Sequence, residues 1–429
     1  MGSLTISWIA ALFGLLAAIC LIIKKVNPVY SLFIGAIVGC LFGGASIAQT
    51  TQVIINGTQS IMGTAVRVLT AGILAGVMME SGAADVIAHK IVSKLGDKMS
   101  LLALALSTMI LTAVGVFIPV AVLIVAPIAL SVGKRMHISK LALLVALSGG
   151  GKAGNIASPN PNTIAAANGF KVPLSNVMLA GYIPAIFGLI VAVLVASLIK
   201  KKGSAVTASD IEPPKEITDI SLLQALCAPI LAIILLMIGP IGQALHINFL
   251  ANISIDAFYV LPIASIIGAI AMGKWKQIPK FMTNGLSRVT DTVLILIGAG
   301  AIAGLISTSD LSIQVVHLIS DMKISGTLLA PLSGILMGLA TGSTSTAVIV
   351  TTGSFGNAIL QTGTTALAAA VMVQAGATVI DQVPQGNYFH ITAHSMHMSF
   401  KERAQAMPFE ICVGLTTTLV ATILYGYIL

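Results

Sequence analysis

Long apolar stretches recur along this sequence, and they constrain the fold more than any other feature. A helix needs about 20 apolar residues to cross roughly 30 Å of hydrocarbon. Only 8% of the 429 residues are charged, whereas a soluble domain has about a quarter. The chain is therefore predicted to be an all-α polytopic membrane protein in a lipid bilayer. The ten predicted spans cover residues 4–23, 28–47, 57–80, 139–169, 174–199, 221–243, 253–272, 284–308, 364–390 and 408–428.

Four apolar segments are interrupted by residues that disfavour a continuous helix. The stretches 100–133 and 326–354 are broken in the middle, at residues 114–119 and 341–346, and are predicted to form re-entrant hairpins. The spans 139–169 and 364–390 contain clusters of Pro, Gly and polar residues and are predicted to be broken helices. Non-helical backbone survives at membrane depth only where protein or a water-filled cavity satisfies it. These interruptions therefore locate the candidate site.

The distribution of Lys and Arg predicts the orientation, because cytoplasmic loops are enriched in both. With both termini outside and each hairpin returning to its own side, 17 of the 22 basic residues fall in the cytoplasm. The net charge of +8 then reflects topology, and no nucleic-acid partner is expected. We predict a multi-pass protein of the cell (inner) membrane. The 17 residues are Lys24, Lys25, Lys90, Lys94, Lys98, Lys134, Arg135, Lys140, Lys200, Lys201, Lys202, Lys215, Lys274, Lys276, Lys280, Lys401 and Arg403.

The two halves of the chain resemble each other at an offset of 228 residues. Asn56-Gly57 corresponds to Asn284-Gly285, and the glycines of segment 71–76 correspond to those of segment 299–304. Each half contains five full spans, an odd number, so the second half enters the membrane from the opposite side. We predict two inverted repeats, 1–200 and 220–429, joined by a solvated cytoplasmic linker, 201–219, without chemistry of its own. Inverted repeats with broken helices are typical of secondary transporters.

The polar residues at three of the interruptions form the predicted site. Lys152 and Asp381 are the charged residues of the interrupted segments 148–163 and 376–388 within the broken helices. Lys152 is predicted to offer positive charge to an anionic substrate, and Asp381 to carry a proton; the alternative is a static ion pair between them. The N-terminus of the helix that follows Pro159 is predicted to attract anions. The predicted substrate-binding residues are Lys152, Asn155, Ser158, Asn160, Asn162, Thr163, Gly342, Ser343, Thr344, Ser345, Thr346, Gln385 and Asn387.

No catalytic or metal-binding residue is predicted, and no cofactor other than the coupling ion is expected. His390, His394 and His397 lie at helical spacing, but no carboxylate or cysteine joins them, so they are interpreted as a wet helical face. The sequence has no Gly-x-Ser-x-Gly elbow or zinc motif, which argues against a membrane enzyme. A channel is disfavoured because no ring of charge or filter-like repeat is present.

The interrupted segments resemble those of the gluconate permease (gluconate:proton symporter) family within the ion transporter superfamily. The similarity covers nearly the whole chain, and it is carried by segments 158–167, 342–347 and 384–389. The sequence departs from the family pattern at Asn160, where a His is typical, and at 384–386, where Asn-Asp-Ser is typical. The resemblance implies an elevator-type, dimeric carrier that is driven by protons and takes up sugar acids or related small carboxylates. A sodium-coupled carboxylate transporter or a cation antiporter on the same fold is the alternative.

Overall fold

The computed structural model describes residues 6–96, 99–211, 219–251, 253, 255–311, 313–314, 317, 325–384 and 386–429. Within these ranges the regular elements are helices, apart from one isolated bridge between Ile6 and Ser309. The all-α prediction is therefore confirmed. The helices are, in chain order, α1 (Trp8–Ile23), α2 (Pro28–Phe42), α3 (Ile47–Glu80), α4 (Ala83–Leu95), α5 (Ser100–Ala113), α6 (Ile118–Met136), α7 (Lys140–Asn155), α8 (Pro161–Gly169), α9 (Leu174–Leu198), α10 (Leu222–Ala244), α11 (Asn248–Ala251), α12 (Ala257–Ala271), α13 (Ile278–Ser307), α14 (Leu329–Thr341), α15 (Thr344–Gln361), α16 (Ala366–Ala377), α17 (Asn387–Ser395) and α18 (Phe400–Ile423).

Six helical segments in the described ranges are long and apolar enough to cross a membrane. They coincide with α3, α6, α9, α10, α13 and α18. Helices α1 and α2, with 16 and 15 residues, are shorter than the spans predicted for them. Helix α6 belongs to the stretch 100–133, which was expected to turn back inside the membrane. The lengths support a multi-pass membrane protein.

The boundary between α2 and α3 differs from the prediction. The predicted span 28–47 ends at Phe42, because Gly43 and Gly44 follow and Gly44 has a φ of +82°, which glycine adopts without steric cost. Helix α3 begins ten residues before the predicted span 57–80, because Ser46 and Gln49 form a capping box. With 34 residues, α3 is about 51 Å long at 1.5 Å per residue.

Helices α3 and α13 cross through glycines at very short range. A methyl group on Gly57 would lie 2.1 Å from the carbonyl oxygen of Gly300, and one on Gly285 would lie 2.2 Å from that of Gly72. No side chain fits there, so the two backbones pack directly. The contact is reciprocal, since Gly57 corresponds to Gly285 and Gly72 to Gly300 at the offset of 228 residues.

The helices are interrupted at the four places that the sequence indicates. The α5–α6 hairpin turns at Gly115, with a φ of +102°, and the α14–α15 hairpin turns at Gly342, with a φ of +62°. Helix α7 ends at Asn155 and α8 begins at Pro161. Helix α16 ends at Ala377, and the chain becomes helical again in α17. Glycine thus ends the first helix of each hairpin by adopting backbone angles outside the helical range, whereas α7 and α16 end a few residues before the prolines of their segments.

The linker between the two halves is not wholly solvated, which corrects the prediction for residues 201–219. Asp210 is buried, and its Oδ1 lies 2.7 Å from Nζ of Lys140. Lys140, which is predicted to lie on the cytoplasmic side, is buried and also donates to the carbonyl oxygen of His397 at 2.9 Å. The first part of the linker therefore packs against the start of α7. Residues 212–218 lie outside the described ranges.

Candidate functional site

Two interrupted helices and one hairpin tip meet inside the protein. Ser345, beside the tip of the α14–α15 hairpin, donates a hydrogen bond to Asn162 in α8. The backbones of Gly342 and Gly386 touch, because a methyl group on Gly386 would lie 2.1 Å from the carbonyl oxygen of Gly342. Lys152, near the end of α7, reaches the segment that follows α16. The structure thus brings predicted site residues from both halves of the chain into one buried region.

The Lys152 side chain is completely buried, with an exposed fraction of 0%. Its Nζ lies 2.6 Å from Oδ1 of Asp381 and 2.6 Å from Oε1 of Gln382. It also donates to the carbonyl oxygen of Thr378. An ammonium group has three donors and no acceptor, so these three oxygens use its full hydrogen-bonding capacity. In this conformation Lys152 has no donor left for a substrate.

The Asp381 carboxylate connects the ion pair to the hairpin. Its Oδ2 accepts a hydrogen bond of 2.5 Å from the Thr344 hydroxyl, at the start of α15. Both carboxylate oxygens are therefore occupied, one by Lys152 and one by Thr344. The geometry contains the ion pair that was considered as the alternative to separate transport roles. A change at Asp381 will act on the hairpin as well as on Lys152.

Asn160 organises the first broken helix. Its Nδ2 lies 2.6 Å from Oδ1 of Asn155 and 2.7 Å from Oγ of Ser158. Its Oδ1 accepts the N–H groups of Asn162 and Thr163 at 2.9 and 3.0 Å, as an N-cap does. Those amides were predicted to attract an anion, and they are instead satisfied within the protein.

The Asn155 amide is the unsatisfied group of this region. Its Nδ2 is buried and has no hydrogen-bond partner among the described residues, although its Oδ1 accepts from Asn160. A buried donor without a partner costs about 1–3 kcal/mol, so such groups are rare unless a ligand or water completes them. Gln374, in α16, supports the same corner by donating to Thr163 Oγ1 at 2.7 Å. Asn155 is therefore the best-placed donor for a bound molecule.

The first turn of α15 offers a second place for an anion. Ser343 is the N-cap, and its hydroxyl accepts the N–H group of Thr346 at 3.3 Å. The N–H groups of Thr344 and Ser345 have no partner within the helix, because the first turn lacks preceding carbonyls. They lie at the positive end of the helix dipole. The hairpin tip therefore suits a carboxylate better than the N-terminus of α8 does.

A second buried network adjoins the site, and it was not predicted from the sequence. Arg403 was predicted to lie before the span 408–428, but α18 begins at Phe400 and includes it. Its exposed fraction is 0%, and it pairs with Glu410. The two N–H···O distances are 2.7 and 3.1 Å. Ser148, one turn before Lys152 in α7, donates to Glu410 and accepts from Tyr388, both at 2.5 Å. Arginine and glutamate seven residues apart, which is two turns of a helix, were the available signal.

Some predicted residues lie apart from this centre. Asn387 is the first residue of α17, and its side chain is exposed. Gln385 lies outside the described residues. His390, His394 and His397 are exposed. His390 and His394 share a face of α17, but His397 lies beyond the end of that helix with a φ of +47°, so the predicted helical face does not include it. Among the described residues, no group of three His, Cys, Asp or Glu side chains is arranged to hold a metal ion.

A cavity of about 330 Å³ lies beside two of the helices that carry site residues, α8 and α15. Helices α3 and α13 line one side, and α8 and α15 line the other. Ala165 and Ile349, which line it, follow Asn162 and Ser345 by three and four residues. Residues at this spacing share one face of a helix. The hydrogen bond between Asn162 and Ser345 therefore lies on the helix faces that border the cavity, one turn closer to the interruptions.

Interrupted apolar helices around a buried polar centre define this molecule as a membrane transporter. The family model for GntP family permeases matches residues 4–428. The chain therefore belongs to the GntP permease family, as the sequence motifs predicted, and it is a multi-pass membrane transporter.

Relatives of known name span most of the chain. A protein of Haemophilus influenzae described as an uncharacterized transporter is 46% identical over 98% of this chain and 99% of its own. The high-affinity gluconate transporter of Escherichia coli K12 is 23% identical, covering 85% and 84% of the two chains. The gluconate permease of Pseudomonas aeruginosa is 23% identical over 80% of each. The YdaH transporter of Alcanivorax borkumensis has the same fold, with a TM-score of 0.67, 15% identity and coverage of 89% and 90%.

Proposed function

We propose that the protein carries a small hydroxy-carboxylate, such as the sugar acid gluconate, into the cell by secondary active transport. Two relatives named for gluconate align with most of the chain. The observation that most supports the proposal is the buried Asn155 amide, which lacks a partner among the described residues. Hydrogen bonds through Asn160 and Asn162 link it to Ser345 at the hairpin tip. A sugar acid offers the matching groups, hydroxyls for the amide and a carboxylate for the first turn of α15.

The proposed architecture is a pair of inverted repeats that move as an elevator. Each half contains a long glycine-containing helix, then a hairpin and then a broken helix, in the same order along the chain. The reciprocal contact of Gly57 with Gly300 and of Gly285 with Gly72 supports the pairing, because two-fold-related surfaces contact each other in this way. In this proposal both termini lie on the outer side of the inner membrane, and the linker lies in the cytoplasm. We also propose a homodimer, which native mass spectrometry from membranes will test.

Proton coupling is proposed from the charge balance at the ion pair. Each 100 mV of inside-negative potential opposes entry of a monovalent anion by about 2.3 kcal/mol, which is roughly a fifty-fold exclusion. Lys152 and Asp381 are neutral together when both are ionised. A proton on Asp381 leaves one net positive charge in the site, which balances one substrate carboxylate. Transport of one proton together with one monovalent anion then moves no net charge across the membrane, and the pH gradient drives uptake.

The test is uptake of radiolabelled gluconate into proteoliposomes. We expect counterflow between internal and external gluconate without any ion gradient, and net accumulation when the interior is made alkaline. A protonophore will abolish the accumulation, and protein-free liposomes are the control. Absence of counterflow would overturn the substrate proposal. A flux that needs sodium and ignores the pH gradient would replace proton coupling with the sodium-coupled alternative.

Asp381→Asn separates coupling from binding. The amide is close in shape to the carboxylate but binds no proton at physiological pH. We expect counterflow to persist while accumulation under a pH gradient is lost. A variant that still accumulates gluconate with the normal pH dependence would remove Asp381 from the coupling mechanism.

A further inference from the structure

The environment of the Lys152 ammonium group resembles a cation site more than a substrate contact. Its three acceptors are a backbone carbonyl of Thr378, the carboxylate of Asp381 and the side-chain carbonyl of Gln382. All three come from the non-helical segment that directly follows α16. Lys152 itself comes from the other half of the chain, 229 residues before Asp381. One half of the protein therefore supplies the oxygens, and the other supplies the positive charge.

These oxygens are the ligands that hard cations prefer. Calcium and magnesium sites are built from carboxylate, amide and backbone carbonyl oxygens, and in transporters the C-terminal ends of interrupted helices hold Na⁺ with such groups. The segment follows the C-terminus of α16, where the helix dipole is negative. Asp381 adds a full negative charge with an exposed fraction of 3%. A buried carboxylate in this position requires a cation.

We propose that Lys152 is a tethered substitute for a coupling cation, filling an oxygen site that takes Na⁺ when the lysine side chain is absent. The protein then carries its own cation in this position, and binding of external sodium is unnecessary. The inference rests on the proposed transport function only for this last consequence. It assigns Lys152 as a residue that determines ion specificity, and not as a direct substrate ligand.

This site is also connected by a hydrogen bond to the region proposed to bind the substrate. The second oxygen of Asp381 accepts the Thr344 hydroxyl at 2.5 Å, so the cation site is tied to the first turn of α15. On the far side, Ser148 lies one turn before Lys152 and is held by Glu410. Removal of the lysine side chain leaves these supports in place. It opens space for a small ion and the water molecules that complete its shell.

Lys152→Ala is the variant that tests the proposal. The purified protein is heated in chloride salts of Na⁺, methylammonium or choline at constant ionic strength, with no organic substrate present. We expect the wild-type melting temperature to be the same in all three salts. We expect the Lys152→Ala protein to melt lower in choline and to gain roughly 2 °C or more, in a saturable manner, from Na⁺ and from methylammonium. Choline is too large for the site.

The matched control is Lys152→Ala combined with Asp381→Asn. It removes the same side chain and also the charge that needs a cation, so its melting temperature is expected to be independent of the salt. Equal melting of Lys152→Ala in all three salts would overturn the proposal. So would failure of Lys152→Ala to fold in both Na⁺ and choline while the double variant folds.

A measurement on the unmodified protein guards against variants that do not fold. A rise in the melting temperature of the wild-type protein in Na⁺, or stimulation of its uptake by Na⁺, would contradict the proposal whatever the variants do. Because the melting experiment contains no organic anion, its outcome does not depend on whether gluconate is the substrate. Failure of gluconate counterflow with cation rescue of Lys152→Ala would therefore overturn the substrate proposal and leave the cation site standing.

Discussion

The buried ion pair between Arg403 and Glu410 gives the sharpest stability prediction. We consider Arg403→Met, Glu410→Gln and the double variant. In Arg403→Met, the Glu410 carboxylate loses two N–H donors and keeps the Ser148 hydroxyl as its described partner. Leaving one member of a buried pair without its partner costs about 3–5 kcal/mol. Arg403 also contacts the rings of two aromatic residues and donates to Thr392 at 2.7 Å, which places this variant at the upper end.

The double variant is expected to recover most of the loss. Met fills much of the volume of the Arg stem, and Gln still accepts from Ser148 without carrying a charge. Replacing both members of a buried pair with neutral side chains is often nearly neutral for stability. We expect the double variant to lie within about 2 kcal/mol of the wild type. The coupling free energy between the two positions is then roughly 4 kcal/mol or more.

The assay is reversible unfolding in mixed micelles with increasing SDS, followed by far-ultraviolet circular dichroism. The chain offers a matched control in Arg288 and Glu80, which pair at 2.9 Å with side-chain exposures of 38% and 22%. Arg288→Met is expected to cost less than about 1 kcal/mol, because water screens an exposed pair. A loss of unfolding free energy in Arg403→Met no larger than in Arg288→Met would refute the prediction, as would a double variant that loses the sum of the two single losses.

Three further changes follow from the same structure. Asn155→Ala is expected to raise the KM for gluconate roughly ten-fold or more in proteoliposome uptake, because it removes a donor that has no described partner in the protein. The variant also removes one acceptor of the Asn160 amide, which keeps the Ser158 hydroxyl and the Asn155 backbone carbonyl, so the melting temperature is expected to fall only slightly; an unchanged KM would take Asn155 out of the binding site. Gly386→Ala is expected to reduce uptake at least ten-fold, since its methyl group would lie 2.1 Å from the carbonyl oxygen of Gly342; normal uptake would show that this contact is not required. Burial by itself would raise the pKa of the Asp210 carboxyl, but hydrogen bonds from Lys140 and Thr207 outweigh it and lower the pKa to about 2. This stabilisation is present above the ordinary pKa of about 3.9 and is lost as the pH falls through about 2. Asp210→Asn is therefore expected to lower stability by about 1–2 kcal/mol at pH 7 and progressively less below pH 4. Thermal unfolding at a series of pH values would contradict this if the difference between variant and wild type did not shrink below pH 4.

The positions of the interruptions were predictable because their causes are local. Gly115 and Gly342 adopt positive φ angles, and the prolines near Asn160 remove donors from the helix. Each effect is contained within a few residues and needs no tertiary partner. The presence of membrane-spanning segments likewise follows from the sequence, because transfer into lipid is favourable for apolar side chains of every kind. Helix ends were less certain, as α2 and α3 show, since caps such as Ser46 decide them.

The partners of the buried charges were decided only by the tertiary structure. Lys152 meets Asp381 across 229 positions, and Ser148 meets Glu410 across 262. Hydrophobicity and helix propensity carry no information about which polar side chain will face which. For the same reason, the sequence indicated a polar centre but did not indicate that Arg403 belongs to a buried ion pair. The sequence by itself determined where the helices break and that the protein lies in a membrane; the packing of the two halves decided which charges are neutralised there, because an ion pair forms only between groups that the fold brings within contact.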